Sequence, residues 1–269
     1  MHAQRWITAL VALPFLIWLI YQGGLVFSMF IGLVSLIGLW EYYHIVCRDT
    51  EDIVRSPIAI TGFITGILTA AAAHAGAEAV VPTLLALDLA VAGFFGLVRY
   101  KREPEAMALV MKQVAGVVYV PLMLAQIVML RRDPHGAAWV FFLLFLVFFG
   151  DIGAFYAGRF WGRRKLYPAV SPGKTIEGAL GGLGASVGIG FLFRALFLPE
   201  LPLGGCLILF LGVGVAGPMG DLFESALKRA ANVKDSGTIL PGHGGLLDRI
   251  DALLFAAPLA FFFKAYILT

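Results

Sequence analysis

Apolar runs close to twenty residues long recur along this chain, and they constrain its fold more than any other feature. A helix of about 20 residues crosses the roughly 30 Å hydrocarbon core of a bilayer. Hydrophobic residues make up 60% of the chain and charged residues only 14%, which excludes an ordinary soluble protein. The sequence therefore predicts an all-α, polytopic integral membrane protein with about nine transmembrane helices. The predicted spans are residues 5–21, 24–45, 56–74, 77–98, 108–130, 137–158, 175–196, 202–229 and 249–267.

The loops between these runs are too short to hold a separate soluble domain. We expect a single transmembrane domain over residues 1–269, in which residues 1–135 are less informative and residues 136–269 carry both polar motif loops. The first run is too long for a signal-peptide core and lacks a good cleavage site, so we expect it to be retained. In the first half, Asp88 lies in the middle of a helix. One interpretation is that Asp88 faces a cavity, a partner helix or a subunit interface. The other is that it is a protonated or hydrogen-bonded packing residue, and both interpretations stay open.

The distribution of lysine and arginine predicts the orientation, because positive residues concentrate on the cytoplasmic side. With the N-terminus in the cytoplasm and nine crossings, the C-terminus lies outside. The outer side then keeps only Arg131, Arg132, Arg194 and Lys264. The cytoplasmic side collects Arg5, Arg48, Arg55, Arg99, Lys101, Arg102, Arg159, Arg163, Arg164, Lys165, Lys174, Lys228, Arg229, Lys234 and Arg249. Because these residues act as topological signals, the net charge of +3 does not indicate a nucleic-acid partner.

A cluster of charges around a glycine-rich turn separates the last two apolar runs, in the segment SALKRAANVKDSGTILPGHGGLLDRID at residues 225–251. Just before it, Asp221 shares a helix face with Ser225 and Lys228 at helical spacing. Asp248 and Asp251 open the last helix three positions apart and also share a face. Carboxylates, cations and flexible backbone together are typical of a metal-assisted phosphate site. The alternative makes Asp248 an N-cap and Asp251 a partner of the helix dipole.

The site residues fall into three predicted roles. Asp221 and Asp248 are expected to hold a divalent cation, and Mg²⁺ suits hard oxygen ligands beside phosphate. The expected catalytic residues are Asp221, Asp248, Lys228, Arg229, Asp235, Arg249 and Asp251. The expected substrate-binding residues are Lys174, Ser171, Asp151, Ser225, Lys234, Gly242, His243, Gly244 and Gly245. For His243, a phosphate contact and a structural hydrogen bond both stay open.

A second motif block lies between the sixth and seventh runs, DIGAFYAGRFWGRRKL followed by SPGKTIEGALGG. Its Gly173-Lys174-Thr175 imitates the end of a nucleotide-binding P-loop. However, Pro168 stands where the first P-loop glycine belongs, and no strand is expected before it, so we reject a P-loop. Lys174 is instead expected at a helix N-terminus, where the dipole and the ammonium group both favour anions. The glycines at 178, 181, 182 and 184 are interpreted mainly as helix-packing residues.

The two motif blocks together resemble bacterial phosphatidate cytidylyltransferases, also called CDP-diacylglycerol synthases. The resemblance covers roughly the second half of the chain, and the first half is similar only in its hydrophobic character. It implies that CTP and phosphatidate give CDP-diacylglycerol and pyrophosphate, with Mg²⁺ required. Whether a second cation such as K⁺ takes part stays open. It also implies a bacterial inner-membrane location with the active site facing the cytoplasm, in phospholipid biosynthesis, with residues 136–269 as the catalytic half. A homodimer stays open.

Other function classes fit the sequence less well. A lipid transporter or flippase would explain the intramembrane aspartates, but not the crowding of phosphate-type ligands on one side of the membrane. A CTP-dependent polyprenol kinase is the nearest enzymatic alternative, and it would release CDP in place of pyrophosphate. A CDP-alcohol phosphotransferase is disfavoured because its spaced aspartates on one helix are not found. A purely structural membrane protein is the least favoured class.

Overall fold

Helices account for nearly all of the secondary structure in the computed structural model, which describes residues 13–47, 53–133, 135–239 and 244–268. In chain order they are α1 (described over Leu13–Gln22), α2 (Gly24–Val46), α3 (Pro57–Ala75), α4 (Val81–Tyr100), α5 (Ala106–Arg132), α6 (Gly136–Trp161), α7 (Ile176–Phe197), α8 (Leu203–Ala230) and α9 (Leu247–Tyr266). Each predicted apolar run from the second onward coincides with one of them, and the described part of α1 overlaps the end of the first run. Short 3₁₀ turns at Ile53–Arg55 and Glu78–Val80 lead into α3 and α4. In α5, a π-helical turn at Val118–Leu122 accommodates Pro121.

Seven of the described helices, α2 to α8, are long and apolar enough to cross a membrane. This confirms the all-α, polytopic class. α1 is described over only part of its predicted span, and α9 carries charges near both of its ends, including Asp248 and Lys264. The count of nine crossings and the positions of the termini therefore stay predictions.

A short β-hairpin between α6 and α7 is a feature that the sequence did not predict. Strand β1 (Lys165–Tyr167) pairs antiparallel with β2 (Ser171–Thr175). A strand thus does precede Pro168, and that part of the argument against a P-loop was wrong. The rejection still holds, because a P-loop follows a strand of a parallel sheet and opens into its helix through a glycine turn. Here Lys174 and Thr175 belong to the second strand of a hairpin.

The chain divides into two compact units. The first comprises residues 1–132 and 230–248, and the second comprises residues 133–229 and 249–269. The glycine-rich segment between α8 and α9 thus belongs with the helices of the first half.

A buried polar cluster ties three helices of the first unit together. The carboxylate of Asp88 in α4 accepts a hydrogen bond from the Thr65 hydroxyl of α3 at 2.9 Å. The Gln113 amide of α5 donates to both Asp88 oxygens, each at 2.9 Å. All three side chains are buried. Of the two interpretations of Asp88, the structure therefore supports the hydrogen-bonded packing residue.

Close packing of α6 against α7 characterises the second unit. A Cβ added at Gly178 would lie 2.9 Å from the Ala154 carbonyl oxygen, and one at Gly182 would lie 2.7 Å from that of Gly150. Gly181 faces Ala157 at similarly close range, whereas Gly184 points into open space. The packing interpretation is thus confirmed for three of these glycines and wrong for Gly184. Small residues allow such backbone contact between membrane helices.

Each of the four cations predicted for the outer side has a local partner. Arg131 donates to the Tyr21 carbonyl oxygen at 2.9 Å, and Arg132 to that of Ala73 at 3.0 Å. Arg194 donates to the Leu201 carbonyl oxygen at 2.6 Å, and Lys264 pairs with Asp133 at 2.8 Å. These cations therefore hold helix ends and loops of their own unit.

Candidate active site

The hairpin and the start of α7 fix the position of Lys174. Thr175 is the N-cap of α7, and its hydroxyl oxygen accepts a hydrogen bond from the Gly178 N–H at 3.1 Å. The Glu177 carboxylate accepts from the backbone N–H groups of Arg163 and Arg164 at 3.0 and 3.1 Å. The residues that lead into β1 are thereby attached to the first turn of the helix. Lys174 lies at the N-terminus of α7, as predicted.

An ion pair joins Lys174 to α8. Its Nζ lies 2.6 Å from Oδ2 of Asp221, and both side chains stay partly exposed. The other Asp221 oxygen accepts a hydrogen bond from the Ser225 hydroxyl one turn later, at 3.2 Å. The predicted pairing of Asp221 with Ser225 on one helix face is therefore observed. The ion pair therefore joins the hairpin motif to the polar face of α8 that leads into the charged segment at residues 225–251.

A cleft of about 660 Å³ with charged groups in its lining opens at this ion pair. Asp151 of α6 lines it together with Lys174 and Asp221. The backbone of Gly173 is open on this side, since a Cβ built there would meet no atom within 4 Å. The cleft therefore combines two cations, Lys174 and Arg159, with two carboxylates and an approachable backbone, which together suit a metal-bound phosphate.

An apolar groove of about 460 Å³ adjoins the cleft. Leu166, Ala179 and Pro218 line both spaces. The groove continues between α7 and α8 past Leu183 and Val215. A ligand lying along this surface would contact charged side chains in the cleft and apolar side chains in the groove.

The last turns of α8 hold a second set of charges. Glu224 is fully buried, and Lys228 Nζ lies 3.2 Å from its Oε1. Asp251 of α9 lies close enough to interact electrostatically with Asp221 and Lys228. Arg229 points to the hairpin, where its Nε donates to the Val170 carbonyl oxygen at 3.4 Å. Arg229 thus stabilises the turn of the hairpin. Lys228 lies near two carboxylates, those of Glu224 and Asp251.

Asp248 organises the glycine-rich segment within the first unit. Its Oδ2 accepts hydrogen bonds from the backbone N–H groups of Ser236 and Gly245, both at 3.0 Å. Since α9 already begins at Leu247, Asp248 lies in the first turn and is not the N-cap of the alternative interpretation. Gly244 has a φ of 80°, and a Cβ there would lie 2.9 Å from Asp248 Oδ2. This position therefore requires glycine.

The remaining predicted residues lie in several places. Lys234, Asp235 and Arg249 are exposed, and Ser171 is partly exposed at the start of β2. Gly242 and His243 lie outside the described residues. Asp221 and Asp248 belong to different compact units, so their sharing of one ion stays a prediction. Among the described residues, no group of three or more His, Cys, Asp or Glu side chains forms a ready metal site.

Comparison with known proteins places the chain in a family. A family model described as the cytidylyltransferase family matches residues 3–267. The chain belongs to the cytidylyltransferase family. The resemblance inferred from the motifs is thus confirmed, and the family extends through the first half, where only hydrophobic similarity was expected.

Individual relatives agree with this assignment. The phosphatidate cytidylyltransferase of Brucella suis biovar 1 (strain 1330) is 35% identical over 265 residues, 97% of this chain and 92% of that protein. The protein of the same name from Staphylococcus saprophyticus is 31% identical over 255 residues, 95% of this chain and 96% of that protein. The Bacillus subtilis (strain 168) phosphatidate cytidylyltransferase is 42% identical over 133 residues. In that last match the chain spans about half of the relative, 49% of its length.

Sequence reasoning missed one buried carboxylate beside the glycine-rich segment. Glu41 of α2 is 0% exposed and accepts hydrogen bonds from the backbone N–H groups of Leu246 and Leu247 at 2.9 and 2.7 Å. A glutamate inside the otherwise apolar run that ends with GLWEYYHIV was the available signal. An acidic residue at such a position is costly unless it has hydrogen-bond donors.

Proposed function

We propose that this protein is a phosphatidate cytidylyltransferase, which converts CTP and phosphatidate to CDP-diacylglycerol and pyrophosphate. Membership in the cytidylyltransferase family and the names of the relatives that match most of the chain support this reaction. The observation that carries the proposal is the cleft with charged groups at the Lys174–Asp221 ion pair, with an apolar groove beside it. Phosphatidate has the matching chemistry, a phosphate attached to two acyl chains.

The proposed reaction is a single displacement at phosphorus. A phosphate oxygen of phosphatidate attacks the α-phosphorus of CTP and forms a new P–O bond. The bond from the α-phosphorus to the oxygen that bridges the α- and β-phosphates breaks, and its electron pair leaves with pyrophosphate. A phosphomonoester is mostly ionised at neutral pH, because its second pKa is about 6. The site therefore needs no strong base to generate the nucleophile.

The main task of the protein is to bring two polyanions together. We assign Lys174 to the phosphate groups, since it lines the cleft and directly precedes Thr175, the N-cap of α7. The open backbone at Gly173 gives a phosphate room to approach. Lys228 is assigned to the departing pyrophosphate, where positive charge stabilises the charge that develops in the transition state. Its partner Glu224 restrains its side chain.

The donor atoms of the cleft fit Mg²⁺. Asp151 and Asp221 present hard oxygen ligands, and Mg²⁺ usually takes one or two protein carboxylates and completes its shell with phosphate and water oxygens. We propose that Asp221 and Asp248 would hold the ion, which would supply positive charge to neutralise phosphate oxygens. A preformed cluster of three carboxylates is not required for such a site.

The membrane location follows from the same proposal. CTP is a cytoplasmic metabolite, so the Lys174 segment and the glycine-rich segment must both face the cytoplasm. The lysine and arginine distribution favours this orientation in the inner membrane of a bacterium.

The decisive experiment identifies the lipid product. Purified protein is incubated with CTP, Mg²⁺ and phosphatidate, and the products are resolved by mass spectrometry with a parallel pyrophosphate assay. We expect CDP-diacylglycerol, one pyrophosphate per lipid consumed, and no turnover in EDTA. CDP in place of pyrophosphate would assign the protein to the lipid kinases. Lipid movement across vesicles without CTP consumption would assign it to the flippases.

A further inference from the structure

The two described arms of the glycine-rich segment, residues 234–239 and 244–248, converge on one carboxylate of α2. Glu41 Oε1 accepts from the Leu246 N–H at 2.9 Å, and Oε2 accepts from the Leu247 N–H at 2.7 Å. The Ser236 hydroxyl on the other arm donates to Oε2 at 3.1 Å. Glu41 thereby connects the arm that follows α8 with the arm that begins α9.

Ser236 links Glu41 to Asp248. Its hydroxyl oxygen accepts a hydrogen bond from the Asp248 N–H at 3.3 Å, and its own N–H donates to Asp248 Oδ2 at 3.0 Å. Gly245 N–H donates to the same Oδ2 at 3.0 Å. Ser236 is therefore hydrogen-bonded to both carboxylates, Glu41 and Asp248.

The glycines of the segment leave space for Glu41. A Cβ at Gly237 would lie 2.5 Å from Glu41 Oε1, and one at Gly245 would lie 2.7 Å from Oε2. Any larger residue at these two positions would displace the carboxylate or the backbone. The absence of side chains at Gly237 and Gly245 thus leaves room for Glu41, a residue about two hundred positions earlier in the sequence.

We propose that Glu41 is a positioning residue, which holds the glycine-rich segment so that Asp248 and the neighbouring backbone N–H groups are fixed for catalysis. A buried carboxylate is costly unless donors satisfy it, and Glu41 has three donors, all from this segment. Charge-assisted hydrogen bonds are roughly twice as strong as neutral ones, so Glu41 restrains the segment more than an amide would. Glu41 contacts neither substrate nor metal in this role. The role in catalysis rests on the proposed function.

The first test measures amide hydrogen exchange in the full-length protein in nanodiscs. Glu41→Gln keeps the shape of the side chain but turns an NH₂ group toward backbone donors. We expect exchange at residues 244–248 to become about tenfold faster or more, since each 1.4 kcal/mol lost is a factor of ten. Exchange in α3 and α4 should not change. Glu78→Gln, which alters a carboxylate of the same unit that pairs with Arg132, is the matched control and should leave the segment protected.

The second test measures turnover of the same variants. Glu41→Gln should lower kcat about tenfold or more, raise the Mg²⁺ concentration needed for half-maximal activity, and leave the KM for phosphatidate near that of the wild type. Glu41→Asp, which keeps the charge, should recover part of kcat, whereas Glu41→Ala should not.

The outcomes separate this proposal from the proposed function. Unchanged exchange at residues 244–248 in Glu41→Gln would overturn the positioning role, and so would faster exchange throughout the first unit, which would mean a general folding role. Faster exchange with normal kcat would overturn the link to catalysis. If the wild-type protein does not convert CTP and phosphatidate, the proposed function fails, while the exchange result still decides whether Glu41 holds the segment.

Discussion

The Lys174 ammonium lies 2.6 Å from the Asp221 carboxylate, and this contact joins the end of β2 to the middle of α8. Both residues belong to the second compact unit, so the contact attaches the hairpin motif to the polar face of α8. The ion pair stays partly exposed to the cleft, so it can exchange one partner for a phosphate or a metal ion. Under the proposed function, the pair holds both residues in place before the substrates bind.

Replacing Lys174 by Ala should lower kcat/KM about 100- to 1000-fold, the usual cost of removing one preorganised charge-stabilising donor. Lys174→Arg should recover part of this loss, because it keeps the charge but changes the geometry. Steady-state kinetics with CTP and phosphatidate measure the effect. Lys165→Ala, an exposed lysine of the same hairpin, is the control and should stay near wild type. Full activity of Lys174→Ala would remove Lys174 from the site.

Asp221→Asn and Asp248→Asn should each nearly abolish turnover while leaving membrane insertion intact. If both hold one Mg²⁺, the double variant should be little worse than either single one, because residues that act as a unit are not additive. Activity measured against Mg²⁺ concentration tests this, with Asp133→Asn as a control outside the cleft. Asp251→Asn should cost less. Near-normal single variants at low Mg²⁺ would shift the assignment to Asp151 and Asp235.

Gly181→Ala should destabilise the second unit, because its Cβ would collide with Ala157 of α6. Overpacking of this kind costs about 1–3 kcal/mol. Gly184→Ala is a matched control three positions later, where nothing lies within 4 Å of the added atom. Thermal unfolding in detergent should show a lower Tm for Gly181→Ala only. Equal Tm values would mean that α6 and α7 pack less closely than the structure indicates.

Asp88→Ala should lower stability and leave the chemistry of the folded protein unchanged. It removes the acceptor of two buried donors, Thr65 and Gln113, at a cost of about 1–3 kcal/mol for each unsatisfied group. Asp88→Asn retains an acceptor and should be milder. Thermal unfolding and kcat, measured on the same preparations, distinguish the two effects. Lost turnover at unchanged Tm would instead indicate that Asp88 acts in transport or catalysis.

Reporter fusions test the orientation. Fusions in the β1–β2 turn and near Gly244 should report the cytoplasm, and fusions after α9 should report the outside. An outside location for either motif block would contradict the use of CTP, because the nucleotide would not reach the site.

Several elements of the fold followed from the sequence for physical reasons. Backbone groups inside a bilayer must form their hydrogen bonds within the segment, so a long apolar run is expected to be helical. α2 to α8 appear where those runs predict them. The start of α7 was also predictable, because its motif places an N-cap threonine directly after Lys174.

Within the candidate site, the sequence placed Asp221, Ser225 and Lys228 on one helix face, since that relation depends only on helical spacing. The hairpin was missed because its strands are only three and five residues long and pair locally without an apolar alternation.

The sequence by itself determined the helical membrane fold, the family and the types of residue available for the proposed chemistry. Only the tertiary structure decided which of them meet: Lys174 of β2 with Asp221 of α8, and Glu41 with a segment about two hundred residues later. Periodicity describes neighbours along one helix, whereas these contacts depend on how helices pack and where small residues allow close approach. A buried carboxylate such as Glu41 therefore acquires its role from the donors that the fold brings to it.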